Sequence, residues 1–275
     1  MRGGIEVHLA HPTLVKPFAK KHVKTDKVDS EVLAQLLRML PESYVPEGEI
    51  RDLRTIVRHR ASLVRLRTSI KNRVHALLTR EGIELPKLSD IFGKRGMEFL
   101  KGVKLQQQRR TVLDDYLRVL EVLNCVIKEV EETLEEKAGV KEEAKWLMSV
   151  PGIGFHNALL ILSELGEIGR FKRPESSVCY AGLAPKVEQS GEHVRYGHIN
   201  KHSNGFLRWA FIQSARAAVR SSKPNRFQKI YNKIKARRGE KVAIVATARH
   251  MAVYWVLTRK EYYKENKAIR ASSFS

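Results

Sequence analysis

Cysteine is scarce in this chain of 275 residues, and the only two, Cys125 and Cys179, fall in stretches that read as helical and apolar. That excludes a disulfide framework and a thiolate zinc site, and it fits a reducing cytoplasm. Long hydrophobic runs are also lacking. The longest, such as Ala158-Leu159-Leu160-Ile161-Leu162, fall far short of the ~20 residues needed to span a bilayer, and the N-terminus has no signal-peptide core. A soluble, cytoplasmic, nucleoid-associated protein with no membrane partner is expected. The third shortage is acid. Asp and Glu total 30 against 51 Lys and Arg, giving a formal charge of +21 and a pI near 10.1, so the expected partner is a polyanion. Hydrophobic residues make up 43%, enough for a buried core, so disorder is not the default.

Residues Ile5 to Ala10 alternate and read as one strand, and Ser30 to Leu40 reads as a helix with Leu33, Leu36, Leu37 and Leu40 on one face. From Ile50 to Arg80 the apolar positions Leu53, Ile56, Val57, Leu63, Leu66, Ile70, Val74 and Leu77 recur every three or four residues, which makes a long amphipathic helix. Its polar side carries Arg51, Arg54, Arg58, Arg60, Arg65, Arg67, Lys71, Arg73 and Arg80 against one acid, Asp52. A solvated face normally mixes signs, so this stripe, with Arg58 and Arg65 near its middle, is a candidate nucleic-acid contact. Residues Ile83 to Lys104 read as a connector. A second long helix follows, with Leu113, Leu117, Leu120, Leu123, Ile127, Val130 and Leu134 at heptad-like spacing. The two helices could pair as an antiparallel hairpin or coiled coil, dimerise through the same stripes, or simply pack as core. After Gly139 short helices are expected, ending in one from Lys241 to Lys260.

Three motifs bear on chemistry. Ser149-Val150-Pro151-Gly152-Ile153-Gly154 resembles a helix-hairpin-helix, in which Gly152 and Gly154 would let backbone N–H groups approach a phosphate; a plain helix–helix turn is the bland reading. Asp26 and Asp29 could share a divalent cation, or could reflect an N-capping acid followed by Asp29 and Glu31 in the first turn of a helix, where acids favour the dipole. Ser190, in Gln189-Ser190-Gly191, sits in a loop flanked by Lys186, His193, Arg195, His198, Lys201 and Arg208. Those cations suit a phosphodiester, although a Ser-Gly pair is most often a turn.

Taken in order, Lys24-Thr25-Asp26-x-x-Asp29, Val150-Pro151-Gly152-Ile153-Gly154, Tyr180-Ala181-Gly182-Leu183-Ala184-Pro185, Gln189-Ser190-Gly191 and Lys201-x-x-Asn204-x-x-Leu207-Arg208 make the chain resemble a transposase of the one-hundred-ten family of insertion sequences, relatives of the Piv-type DNA invertases. The resemblance covers essentially the whole chain. It implies a ribonuclease-H-like domain with an Asp-Glu-Asp-Asp tetrad that binds Mg²⁺, a coiled-coil insertion, and a C-terminal domain with a conserved serine. Asp26 and Asp29 match the tetrad's last two acids and Ser190 matches the serine. Members recombine DNA through a phosphoserine, some guided by a structured RNA of the element. Lys201, Asn204 and Arg208 are then candidate DNA contacts, and a homo-oligomer is expected.

The expected architecture is mainly α with a small α/β part. Residues 1–47 form the remnant of the ribonuclease-H-like domain, 48–140 the helical hairpin, and 141–275 the serine-bearing C-terminal domain. The strands carrying the first Asp and the Glu of the tetrad are expected to be missing, so the chain reads as N-terminally truncated, with Mg²⁺ held weakly. The leading expectation is a transposase subunit using Ser190 as nucleophile. The rivals are an inactive relative that binds DNA or RNA, and a junction-resolvase-like nuclease that cuts without a serine adduct.

Overall fold

The structure is a computed structural model that describes residue 9 and residues 43–138, 141–190, 193–199, 203–251 and 253–264. The strand expected at Ile5–Ala10, the helix expected at Ser30–Leu40, and Asp26, Asp29 and Lys201 lie outside the described residues. The fold is mostly helical. Two long helices, α1 (Gly48–Arg80) and α3 (Gln107–Ala138), run side by side. Arg60 pairs with Glu131 and Arg67 with Asn124 between them, while Glu81, just past the end of α1, pairs with Arg109, and Glu49 pairs with Lys141, just past the end of α3. As one number rises the other falls, which fixes the pair as antiparallel within one chain. The connector contains a short helix, α2 (Lys94–Gly102), absent from the sequence expectation.

The apolar stripe of α1 serves two cores. Val74, Leu77 and Leu78 pack with Leu100 of α2 and Leu113, Leu117 and Leu120 of α3. Nearer its start, Val57 and Ala61 belong to a larger core with Leu134 of α3 and the buried residues of the C-terminal helices. Leu66, expected on the apolar face, is instead 56% exposed. Cys125 and Cys179 are exposed as well, so the expectation of apolar surroundings for them fails.

The C-terminal helices are α4 (Glu142–Met148), α5 (Phe155–Leu165), α6 (Pro174–Tyr180), α7 (Gly205–Arg220), α8 (Arg226–Arg238), α9 (Glu240–Arg249) and α10 (Val253–Arg259). The single helix expected from Lys241 to Lys260 is two, because the first ends at Arg249, with His250 as its C-cap. Between α6 and α7 stand two strands, β1 (Pro185–Ser190) and β2 (His193–Ile199), paired antiparallel with an irregularity between Pro185 and Val187. Ser190 therefore ends a strand and is paired with His193 across the hairpin, where the sequence suggested a plain loop.

The turn from α4 to α5 shows why glycine is needed at one position. Val150 and Ile153 are buried, and Ile153 N–H donates to Val150 O at 3.0 Å. Gly152 adopts φ +88°, and a Cβ there would collide with Ser214 O and Ala218 N of α7. The close approach at Gly152 is therefore to another helix. Gly154 is exposed, has ordinary φ, and is the N-cap of α5.

Candidate nucleic-acid interface and serine hairpin

The serine hairpin rises from a base whose two roots are tied together. Asn204 N–H donates to Tyr180 O at 3.1 Å, and Gly182, at φ +67°, lies against the Ser203 side chain with Arg208 Nη1 close by. Ala181 and Leu183 are buried beneath. Gly182, Asn204 and Arg208, read from sequence as separate parts of a string, thus meet at the foot of β1 and β2.

Asn204 also closes the start of α7. Its Oδ1 accepts from Leu207 N–H at 3.0 Å, leaving Nδ2 to donate to Glu164 Oε2 at 2.6 Å. Glu164 is fully buried in α5. A carboxylate in that position needs charged partners, because burying an unpaired charge costs several kcal/mol or more. Helix α1 supplies them. Arg58 makes a two-pronged contact, Nε to Oε1 at 2.5 Å and Nη2 to Oε2 at 2.8 Å. Arg54 donates Nε to Ser163 O at 2.8 Å and Nη2 to Glu164 O at 3.3 Å. The hydrogen bond to Glu164 raises the tendency of Arg58 to hold its proton, while burial lowers that of Arg54 against the pull of Glu164.

Arginine stacking extends the same junction. Arg58 lies over the Phe206 ring at 5.0 Å, and Arg65 over Phe206 at 4.5 Å and Trp209 at 5.4 Å. Arg60 pairs with Glu131, which also sits 3.3 Å from His156 Nε2. Arg54, Arg58 and Arg60 of the basic stripe thus hold α1 to α5 and α3, while Arg65, itself exposed, stacks on Phe206 and Trp209 of α7. Arg58 and Arg65, candidate nucleic-acid contacts in the sequence, therefore also carry packing contacts within the protein.

A second anchor lies on the other side of Tyr180. The Arg170 guanidinium sits over the rings of Tyr44, Phe171 and Tyr180 at 4.2, 4.1 and 4.4 Å, and donates Nε to Leu165 O at 2.9 Å. Tyr44 occupies the space that a Cβ on Gly166 would take. The segment entering α1 is thereby fixed beside the hairpin base. Sequence reading missed Tyr44, Glu164 and Arg170, and placed Arg54 only within the basic stripe. Glu164 alone left a signal, as one acid inside an otherwise apolar helix.

Among the described residues no group of three or more His, Cys, Asp or Glu could hold a metal ion. No helix among them is long and apolar enough to cross a membrane.

Comparison with known proteins completes the site. Residues 144–232, which run from within α4 to the middle of α8 and span both strands, match the family model described as Transposase IS116/IS110/IS902 family. Residues 2–82 match a second transposase model, of the DEDD type of IS110 elements. A transposase for insertion sequence element IS1111A from Coxiella burnetii is 30% identical over 270 residues, covering 95% of this chain and 74% of the relative. A probable family 20 transposase from Pseudomonas aeruginosa is 26% identical over 94% of this chain and 78% of the relative, and a transposase for element IS1328 from Yersinia enterocolitica is 27% identical over 93% and 77%. The chain belongs to the IS110 family of insertion-sequence transposases.

Proposed function

We propose that the chain is a recombinase subunit in which Ser190 attacks a DNA phosphodiester. The observation that carries this reading is the placement of Ser190 at the end of β1, on a hairpin whose roots are fixed through Tyr180 and Asn204. A nucleophile on a held hairpin can be presented to a strand lying outside the body of the protein, and orientation of that kind contributes much of a bimolecular step's acceleration. In the attack the Oγ–P bond forms as the P–O bond to one deoxyribose breaks. The serine proton leaves to solvent and the departing sugar oxygen takes one up. The phosphoserine ester keeps the phosphate activated for rejoining to another strand. Lys186, Arg195, Lys201 and Arg208, which flank Ser190 in sequence, would neutralise the attacked phosphate.

On the same reading Asp26 and Asp29 would hold Mg²⁺, which when bound supplies further charge neutralisation at the phosphate. A structured RNA of the element and a second copy of the chain are the proposed partners.

The test is a denaturing gel of the chain incubated with Mg²⁺, element-end DNA and any RNA encoded beside the gene. A covalent adduct that disappears in Ser190→Ala, with DNA affinity retained, is the expected result. An adduct that persists in Ser190→Ala would overturn the assignment.

A further inference from the structure

We infer that the outer face of α8 is a second DNA-binding surface, formed by Lys229, Lys233 and Arg237 and separate from the basic stripe of α1. The inference rests on DNA being the partner, and it is independent of the chemistry at Ser190.

The charge distribution points to it. From His193 to Gly239 the sequence contains twelve Lys and Arg and no Asp or Glu. Lys229, Lys233 and Arg237 are exposed, and none has a carboxylate partner among the described residues. Spaced four residues apart, they share one side of the helix, opposite the buried Phe227 and Tyr231. Like charges at that spacing destabilise a helix unless something of opposite sign covers them, and a surface selected only for solubility mixes signs. The contrast with α1 sharpens the point, because Arg54, Arg58, Arg60 and Arg65 are already engaged with Glu164, Glu131 and aromatic rings.

Geometry makes the partner a polyphosphate backbone. The three cations span about 12 Å along the helix, which matches roughly three or four successive phosphates of one DNA strand at ~3.4 Å each. The helix is held in register. Asn225 and Gln228 form a capping box at its start, and both reach back to carbonyls of the α7 C-terminus, Asn225 Nδ2 to Ala218 O at 2.9 Å and Gln228 Nε2 to Ser221 O at 2.6 Å. Helix α7, with 16 residues, separates this end from the base of the serine hairpin by about 24 Å, or roughly seven base pairs of duplex. The α8 surface would thus grip DNA flanking the reacting phosphate, without reading its sequence.

The experiment is fluorescence anisotropy of the full chain with a 30-base-pair duplex of arbitrary sequence, from about 50 to 200 mM salt. Lys229→Gln/Lys233→Gln/Arg237→Gln keeps helix-favouring residues at exposed positions, and circular dichroism verifies its fold. Losing three phosphate contacts should make the plot of log affinity against log salt shallower by about 2.7, so that the wild-type affinity falls roughly 40-fold further than the variant's over that range. A control with the same change in net charge, Lys87→Gln/Lys94→Gln/Lys104→Gln, should leave the slope near wild type. With a hairpin RNA titrated in parallel, an unchanged slope on the duplex in the α8 variant, an equal reduction in the control, or a loss confined to the RNA would each overturn the inference. A wild-type slope that depends on α8 in a chain forming no adduct would sink only the serine reading.

Discussion

Asn204 and Glu164, 40 residues apart, meet through a 2.6 Å hydrogen bond that joins the start of α7 to the buried end of α5. The same carboxylate holds Arg58 and lies 3.7 Å from Arg54 Nε, so a single side chain binds α1, α5 and the root of the serine hairpin. The hairpin base and the basic helix are therefore one mechanical unit.

Replacing Glu164 tests that unit. In Glu164→Gln the buried charge that neutralises Arg54 and Arg58 is lost, and the new amide nitrogen opposes donors that previously faced an oxygen. Breaking such a pair by removing one partner costs about 3–5 kcal/mol; because Arg58 is 41% exposed, a loss near 2–3 kcal/mol is expected. Urea denaturation measures it directly. A double-mutant cycle with Arg58→Met should return a coupling of roughly 1–3 kcal/mol. Additive effects would mean that the two side chains do not act together.

The two glycines of the α4–α5 turn should behave in opposite ways. Gly152→Ala places a Cβ against the α7 backbone at a left-handed φ, so α5 and α7 must separate, at a cost of roughly 2–5 kcal/mol. Gly154→Ala meets nothing within 4 Å and has φ −91°, so its stability should change by less than about 1 kcal/mol. Thermal unfolding of the two variants separates them. If Gly154→Ala then binds DNA normally, the phosphate role read from the sequence for this turn is lost for Gly154. A stable Gly152→Ala would contradict the close packing of α5 on α7.

The sequence disclosed what depends on local periodicity. Val57, Val74 and Leu77 of α1, and Leu113, Leu117 and Leu120 of α3, mark their buried faces with a helical repeat, and those faces are buried. The partner of each cation could not be read in the same way. Arg58 finds its acid more than 100 residues away, and nothing local distinguishes it from Arg73, which is exposed. The strands do carry a local signal, since Val187 and, further on, Val194 and Tyr196 alternate with polar residues. The break after His250 has no glycine or proline at His250 or Met251 to announce it, and it follows from tertiary packing, with Met251 and Val253 both buried.

Acid should weaken this fold below neutral pH, through two histidines. Burial, followed by the neighbouring Arg60, pushes His156 below its ordinary value of 6.5, against the opposing pull of Glu131 and Glu135. Burial, with Arg249 and Arg226, does the same to His250. Both are therefore neutral in the folded protein where the unfolded chain would already bind a proton. Above about pH 7.5 neither state is protonated at these positions and their contribution to stability is complete. As the pH falls through 6.5 the unfolded chain gains protons that the folded chain refuses, and stability declines until the folded-state values are reached. Calorimetric melting from about pH 8 to pH 5 should show a falling midpoint across this window. Its slope should flatten in His156→Gln/His250→Gln, because two of the groups responsible have been removed. An equally steep decline in the double variant would locate the acid sensitivity elsewhere, and a rising midpoint in the wild type would reverse the sign of the argument.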